Sequence, residues 1–312
     1  MQPLAGLLVV DLTRYVPGPF ASRELMRLGA RVVRLLPPGG DPLQELAPAW
    51  HDALNAGKET VELDLKAEPE RGHELCAGAD VVLESFRPGV VERLGIGPSQ
   101  LPGRVVYCSL TGFGPGDLTA GHDLNYEGWA GLLHDTAPAL PPVQIADLGA
   151  ALRAVAQVLA ALLERERTGR GRHVVVSLTH GAHELASHRL GGEPFPRLLT
   201  GDLACYRIYA TADGRHLTVA ALEPRFFRRL CELLGRPELA GRQWEAEQEP
   251  LAAELAEAFA AHPLATWLEL FAGEDVAVGP VATLEEAAAQ LGASPSAAGS
   301  ANRSGNRSGS SG

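Results

Sequence analysis

Short apolar runs alternate with helix-length segments through the first half of this chain, and nothing else in it limits the fold as strongly. Residues 7–12, 31–36, 60–65, 80–83 and 105–110 read as strands. Runs that short, rich in Val and Leu, fit strands buried on both faces, and the stretches between them can hold crossover helices. Strands joined by crossovers pair in parallel, which predicts an α/β fold on a doubly wound sheet. Helices are expected over residues 20–28, after a turn at Pro17-Gly18-Pro19, and over 69–77. Residues 148–167 are the longest helix candidate, apolar on nearly every face, with Gly169 as its cap. A strand over 174–177 follows.

A loop at residues 191–196 separates this part from the next. There a hairpin pairs 206–210 with 216–221 around Asp213-Gly214. Helices follow at 225–234, 251–261 and 264–271, then a strand at 278–281 and a helix at 284–291. The expected division is a large Rossmann-like domain over residues 1–190, a smaller α+β domain over 191–292 and a tail over 293–312. The tail repeats Asn-Arg-Ser-Gly and has almost no apolar bulk, a composition that predicts disorder.

Composition removes several function classes. A formal charge of -11 argues against nucleic acid or an anionic membrane as the main partner. No signal peptide is read at the N-terminus, and no stretch reads as both long and uncharged enough to span a bilayer. Cys76, Cys108, Cys205 and Cys231 have no metal or redox spacing and fit buried thiols in a reducing cytoplasm. The cations are arginines except Lys58 and Lys66, which flank the 60–65 strand. No Gly-rich dinucleotide loop follows Leu12, so NAD binding is not expected.

Two motifs carry chemistry. The first is Gly121-His122-Asp123-Leu124-Asn125-Tyr126-Glu127; the second is Ile145-Ala146-Asp147-Leu148-Gly149. Histidine is the side chain that exchanges protons near neutral pH. Asp147, just before the long helix, reads as an N-cap worth ~1 kcal/mol. A helix start also offers backbone N–H groups to a developing oxyanion. Glu223-Pro224 reads as another cap, with proline at the first helical position. On residue type alone, a solvated loop histidine and a helix cap are the plainer readings of His122 and Asp147.

Further short motifs stand around these two in a fixed order. They are Gly6-Leu7-Leu8-Val9-Val10-Asp11-Leu12, Pro17-Gly18-Pro19, Leu28-Gly29-Ala30-Arg31-Val32-Val33-Arg34, Leu63-Asp64-Leu65-Lys66, Ser85-Phe86-Arg87-Pro88-Gly89-Val90 and Glu164-Arg165-Glu166-Arg167-Thr168-Gly169-Arg170-Gly171. With them the chain resembles the family III coenzyme A transferases, and within that family the α-methylacyl-CoA racemases, from Leu4 to about Leu291. The resemblance implies a Rossmann-like large domain, a smaller second domain, an interlocked homodimer, an acyl-CoA thioester substrate and no metal or redox cofactor.

It also implies roles for residues. His122 and Asp147 flank the α-carbon and exchange a proton through an enolate, and Glu223 supports the histidine. Gly121, Asp123, Leu124, Asn125 and Tyr126 line the thioester site. Leu63, Asp64, Leu65, Lys66 and Arg87 meet CoA. The activity expected is a cytoplasmic racemase of 2-methylacyl-CoA thioesters in fatty acid metabolism. Transferases of the family use the equivalent aspartate as a nucleophile and generally lack the histidine. A transferase, or a non-catalytic protein that binds CoA esters, therefore stays open. Three positions depart from the family pattern. After the second strand the chain reads Leu35-Leu36-Pro37-Pro38 in place of a CoA-holding arginine, which leaves Arg34 as the substitute. The aspartate motif continues Gly149-Ala150-Ala151 where more glycines are usual. The low-complexity tail stands where family members return a segment to the large domain.

Overall fold

The structure, a computed structural model, describes residues 2–189, 192 and 197–292. The tail read over 293–312 lies outside these residues, as does most of the loop at 191–196. The chain divides into two compact units, with the boundary in the sequence between His188 and Arg189.

The first unit is built on six parallel strands: β1 (Leu8–Asp11), β2 (Arg31–Leu36), β3 (Glu59–Glu62), β4 (Val81–Glu84), β5 (Val106–Thr111) and β6 (His173–Ser177), in the order β3-β2-β1-β4-β5-β6. Around them run α1 (Pro17–Arg27), α2 (Leu43–Leu46), α3 (Pro48–Asn55), α4 (Pro69–Gly78), α5 (Val90–Arg93), α6 (Asp123–Trp129), α7 (Ile145–Thr168) and α8 (Leu178–Leu185). This is the expected α/β class. Successive strand residues point to opposite faces. Val9, Val32, Val81, Leu83 and Cys108 join the layer under α1 and α7, while Val10, Val33, Val82 and Tyr107 join the layer that includes Cys76 of α4. All four cysteines are buried and free.

Several boundaries differ from the sequence reading. Pro17-Gly18-Pro19 is the first turn of α1 rather than a turn before it, because proline's missing N–H has no partner to lose there. β3 stops at Glu62. Leu63 still donates its N–H to the Leu36 carbonyl (2.8 Å), but its side chain is already core and the chain then turns over Asp64. His122, read as a solvated loop histidine, is the N-cap of α6, and residues 123–129, where no helix was expected, are helical. α7 begins at Ile145, so Asp147 sits within its first turn and Gln144 is the N-cap.

Among the described helices α7 is the one long and apolar enough to cross a membrane, against the expectation that no stretch would qualify. Here it is a core helix. Ala146, Ala150, Ala154, Val158 and Leu162 repeat every fourth residue and are buried, and the small side chains let neighbouring elements approach closely. Gly169 ends it at φ 71°, as a left-handed cap should.

A polar knot fixes the chain as it leaves β1. The fully buried Asp11 accepts from the Thr13 amide (2.9 Å), the Thr13 hydroxyl and the Ser22 hydroxyl (2.5 Å). Lys58 reaches the same knot, donating from Nζ to the Pro19 carbonyl (2.7 Å) and Ser22 Oγ (2.7 Å), with Asp11 3.8 Å away. Burial pulls its ammonium down to about 8, with Asp11 acting in the opposite direction. Next to it, Arg34 pairs with Asp41 (2.9 Å), and both are buried. The other Asp41 oxygen accepts from the Tyr15 and Leu43 amides, each at 3.1 Å. Tyr15 is held at φ 65°, a left-handed conformation unusual for a bulky residue.

The second unit carries the antiparallel sheet β7 (Tyr206–Ala210), β8 (His216–Ala220) and β9 (Val278–Pro280). With it go α9 (Pro224–Leu233), α10 (Glu249–Phe259), α11 (Leu264–Phe271) and α12 (Leu284–Leu291). Its own core joins Tyr209, Leu217 and Val219 of the sheet to Phe227, Leu255, Phe259 and Trp267. The Trp267 indole N–H donates to the Phe259 carbonyl at 2.9 Å, so the buried ring leaves no orphan donor.

One substitution tests the knot. A Cβ on Gly18 would overlap the Thr13 side chain, which cannot withdraw without leaving Asp11. Gly18→Ala should lower the unfolding free energy by about 1–3 kcal/mol, measured by urea denaturation.

Candidate active site

The strand order reverses between β1 and β4, and in open parallel sheets a crevice forms beyond the carboxyl ends of the strands at such a point. A cavity of about 420 Å³ lies there, in the first unit. Arg14, Tyr15 and Pro17 reach it from the end of β1, and residues 85–88 from the end of β4. Thr111 and Gly112 reach it from the end of β5, followed by residues 117–122. Tyr126, Asp147 and Leu178 complete the wall. His122 and Asp147, 25 positions apart in the chain, thus face one space.

Each is positioned by its helix. His122 is the N-cap of α6, and its amide donates to Asn125 Oδ1 at 3.0 Å. Its exposed ring meets the Tyr15 ring edge to face, centroids 5.7 Å apart. Tyr126, four residues on, turns its hydroxyl back onto the Gly121 carbonyl (2.5 Å) and closes the turn that presents His122. Asp147 is buried in the first turn of α7.

The N–H groups that open α7 are taken. Glu127 Oε1 accepts from the Ile145 amide and Asp123 Oδ1 from the Asp147 amide, both at 2.9 Å. Carboxylates suit this end of a helix, where unpaired N–H groups and the dipole are both positive. The expectation that these amides await an oxyanion is therefore corrected: α6 already caps them. The same arrangement places three carboxyl groups together. Burial first, then the charges of Asp123 and Glu127, push the Asp147 carboxyl up to about 7. Burial also raises Glu127, and the hydrogen bonds it receives from α7 partly offset that. An acid half-protonated near pH 7 can both give and take a proton under ordinary conditions.

The other predicted residues divide. Gly121 and Tyr126 line the cavity, and so does Arg87. Arg14, which the sequence reading missed, lies on the same wall. Neither arginine makes an ion pair among the described residues, so both are free to meet an anionic group. Asp123, Leu124 and Asn125 do not line the cavity; Asp123 and Asn125 cap helices, and Leu124 is exposed. Arg34 is corrected from a CoA contact to a buried structural cation, because Asp41 and His51 Nε2 (3.3 Å) occupy it. Leu63 is core and Leu65 packs against it. Asp64 accepts from the Lys66 amide (2.9 Å), and Lys66 is exposed beyond the β3 edge; none of the four lines the cavity. Glu223 is the exposed N-cap of α9 in the second unit.

A sequence signal existed for two of the missed residues. Arg14 and Tyr15 lie three and four residues beyond the end of β1, the strand where the sheet order reverses. Glu127 stands four residues after Asp123, on the same face of one helix, which is invisible while no helix is read there.

The sequence model of CoA-transferase family III matches residues 4–297. The chain is 35% identical over 308 residues to the α-methylacyl-CoA racemase of Mus musculus, covering 91% of this chain and 79% of that one. It is 32% identical over 321 residues to the acetyl-CoA:oxalate CoA-transferase of Acetobacter aceti, covering 92% and 82%. The crystal structure of Rv3272 from M. tuberculosis superposes with a TM-score of 0.78 at 32% identity, covering 92% of this chain and 84% of that one.

The setting of Asp147 has a consequence for stability. Its proton stays on to about pH 7 in the folded chain, whereas an ordinary aspartate releases it near 3.8. The folded state binds the extra proton between these values, so this group's contribution to stability falls as pH rises through that window. Asp147→Asn should be more stable than the parent at pH 8, by about 1–3 kcal/mol, with the gain shrinking toward pH 4. Denaturant melts at the two pH values measure it.

Proposed function

The chain belongs to CoA-transferase family III, and from that premise we propose that it racemises 2-methylacyl-CoA thioesters. The observation that carries the reading is the pair His122 and Asp147 on one cavity, the second poised near neutrality. His122, exposed at a helix start, takes the α-proton. The thioester carbonyl delocalises the resulting charge as an enolate. The protonated Asp147 returns a proton to the carbon, and the roles exchange in the reverse direction. Arg14 and Arg87 meet the phosphates of CoA. Both proton transfers are supplied by side chains, so the reading asks for no group beyond the CoA carried by the substrate. Glu223 as support for the histidine, and a homodimer, enter through the family resemblance.

Transferase chemistry at the same site is the second reading, supported by the A. aceti relative. It needs Asp147 as a carboxylate nucleophile, and a group that holds its proton up to about pH 7 is less suited to that.

A 2-methylacyl-CoA of one configuration, incubated in deuterated water and followed by NMR, separates the readings. Exchange at the α-position with loss of configuration is expected. Transfer of CoA to an added carboxylate without exchange would replace the racemase by the transferase, and neither outcome would leave a binding protein. His122→Ala should cut exchange by about 100-fold or more, and full retention would end the two-base assignment. In the direction where Asp147 is the acid, exchange should decline as pH rises through about 7, because the protonated form is lost there.

A further inference from the structure

Between β1 and α1 the chain is anchored on both sides of Tyr15. Before it, Thr13 is buried, its amide and hydroxyl both donating to Asp11. After it, Val16 is buried with Leu43 and Leu54, and Leu148 of α7 packs against the same cluster. Between these anchors the Tyr15 amide donates to Asp41 Oδ1 (3.1 Å), a carboxylate buried in its pair with Arg34. Glycine would take the resulting φ of 65° freely, whereas a Cβ there crowds the following carbonyl oxygen. A bulky side chain persists in such a conformation only where its surroundings dictate it, and residues of this kind gather at functional sites.

What the turn delivers is an aromatic ring on the cavity wall, edge to face with the imidazole of His122, centroids 5.7 Å apart. Asn125 fixes the backbone of His122: its Oδ1 accepts the His122 amide (3.0 Å) and its own amide donates to the His122 carbonyl (2.8 Å). Those two bonds leave the imidazole free to turn about its side-chain bonds, and a ring packed against it selects one orientation. The same turn is registered on the other half of the pair. Leu148, which packs with the Val16 cluster, directly follows Asp147 in α7.

We propose that Tyr15 is a positioning residue. Its ring, turned into the cavity by a backbone that Asp41 clamps, holds the His122 imidazole at the angle from which it reaches the α-carbon, in register with Asp147. Proton transfer from carbon is sensitive to such alignment, and a small misplacement of the reacting group lowers the rate steeply. The proposal rests on the role given to His122 above. It adds a side chain that acts through its ring and moves no proton itself.

Two variants separate the ring from the rest of the side chain. Tyr15→Phe keeps the ring and loses the hydroxyl. Tyr15→Gly loses the ring in a residue that suits the backbone, so the turn keeps its course. The His122 ring protons are identified in NMR spectra by their loss in His122→Ala. In the parent and in Tyr15→Phe they should show nuclear Overhauser contacts to the ring at position 15. In Tyr15→Gly those contacts vanish and the His122 ring signals should shift. For exchange, Tyr15→Phe should keep kcat within about threefold, and Tyr15→Gly should lower it at least about tenfold with a smaller change in KM. A Tyr15→Gly protein with the parent's His122 signals and kcat would overturn the proposal. So would a Tyr15→Phe protein that loses as much kcat as Tyr15→Gly, since the hydroxyl and not the ring would then be acting. A loss carried by KM alone would make Tyr15 a binding surface and overturn it as well. The NMR contacts need no turnover. If the racemase reading fails, exchange is absent in the parent too, while the His122 signals still decide whether Tyr15 orients that ring.

Discussion

The amides that open α7 find their partners on another helix, and much of the first unit follows from that. A helix start leaves N–H groups with nothing in their own helix to bind. Here two acids of α6 accept them. The contact fixes α6 against α7, and with it the turn that ends at Gly121 and presents His122. It also gathers acidic groups around Asp147. One local need, the capping of a buried helix end, thus joins the two motifs and sets the chemistry of the second.

The part of the cavity wall that follows β1 is held in a different way. The chain leaving β1 has no regular structure until Pro17, so its course is fixed by side chains. Asp11, Thr13, Ser22 and Lys58 bind it from beneath, and Asp41, held by Arg34, takes the Tyr15 amide. Buried charges are costly to leave unpaired. These are paired, and what they hold is a bulky residue in a left-handed conformation, its ring against His122.

The fold was legible in the sequence because periodicity and punctuation agreed. Parallel strands buried on both faces read as short apolar runs, and Gly169 marked the end of the long helix. Reading was poorest where a residue's neighbour lay far along the chain. The alternation of Val61, Leu63 and Leu65 runs on past the last ladder of an edge strand, since Leu63 meets core without needing a strand. α6 has a polar face that caps a helix instead of facing water, so its sequence carries no amphipathic helix pattern. Arg34 could be assigned to a phosphate only while Asp41 and His51 were out of view. His122 and Asp147 were legible as a pair through the surrounding motifs; the carboxyl cluster that tunes the aspartate was not, because a charged residue in sequence gives no sign of its burial.

The knot beneath α1 also bears on how the protein can be handled. Of the two lysines, Lys58 has its amine sealed under the helix and bound to three oxygens, while Lys66 stands exposed beyond the β3 edge. A lowered pKa ordinarily makes an amine more reactive toward acylating reagents, but only where the reagent can arrive. In the folded chain that chemistry passes Lys58 by and falls on Lys66. Lys66 is therefore a single lysine attachment point for a dye or a surface linker, and labelling of Lys58 reports that the knot has opened.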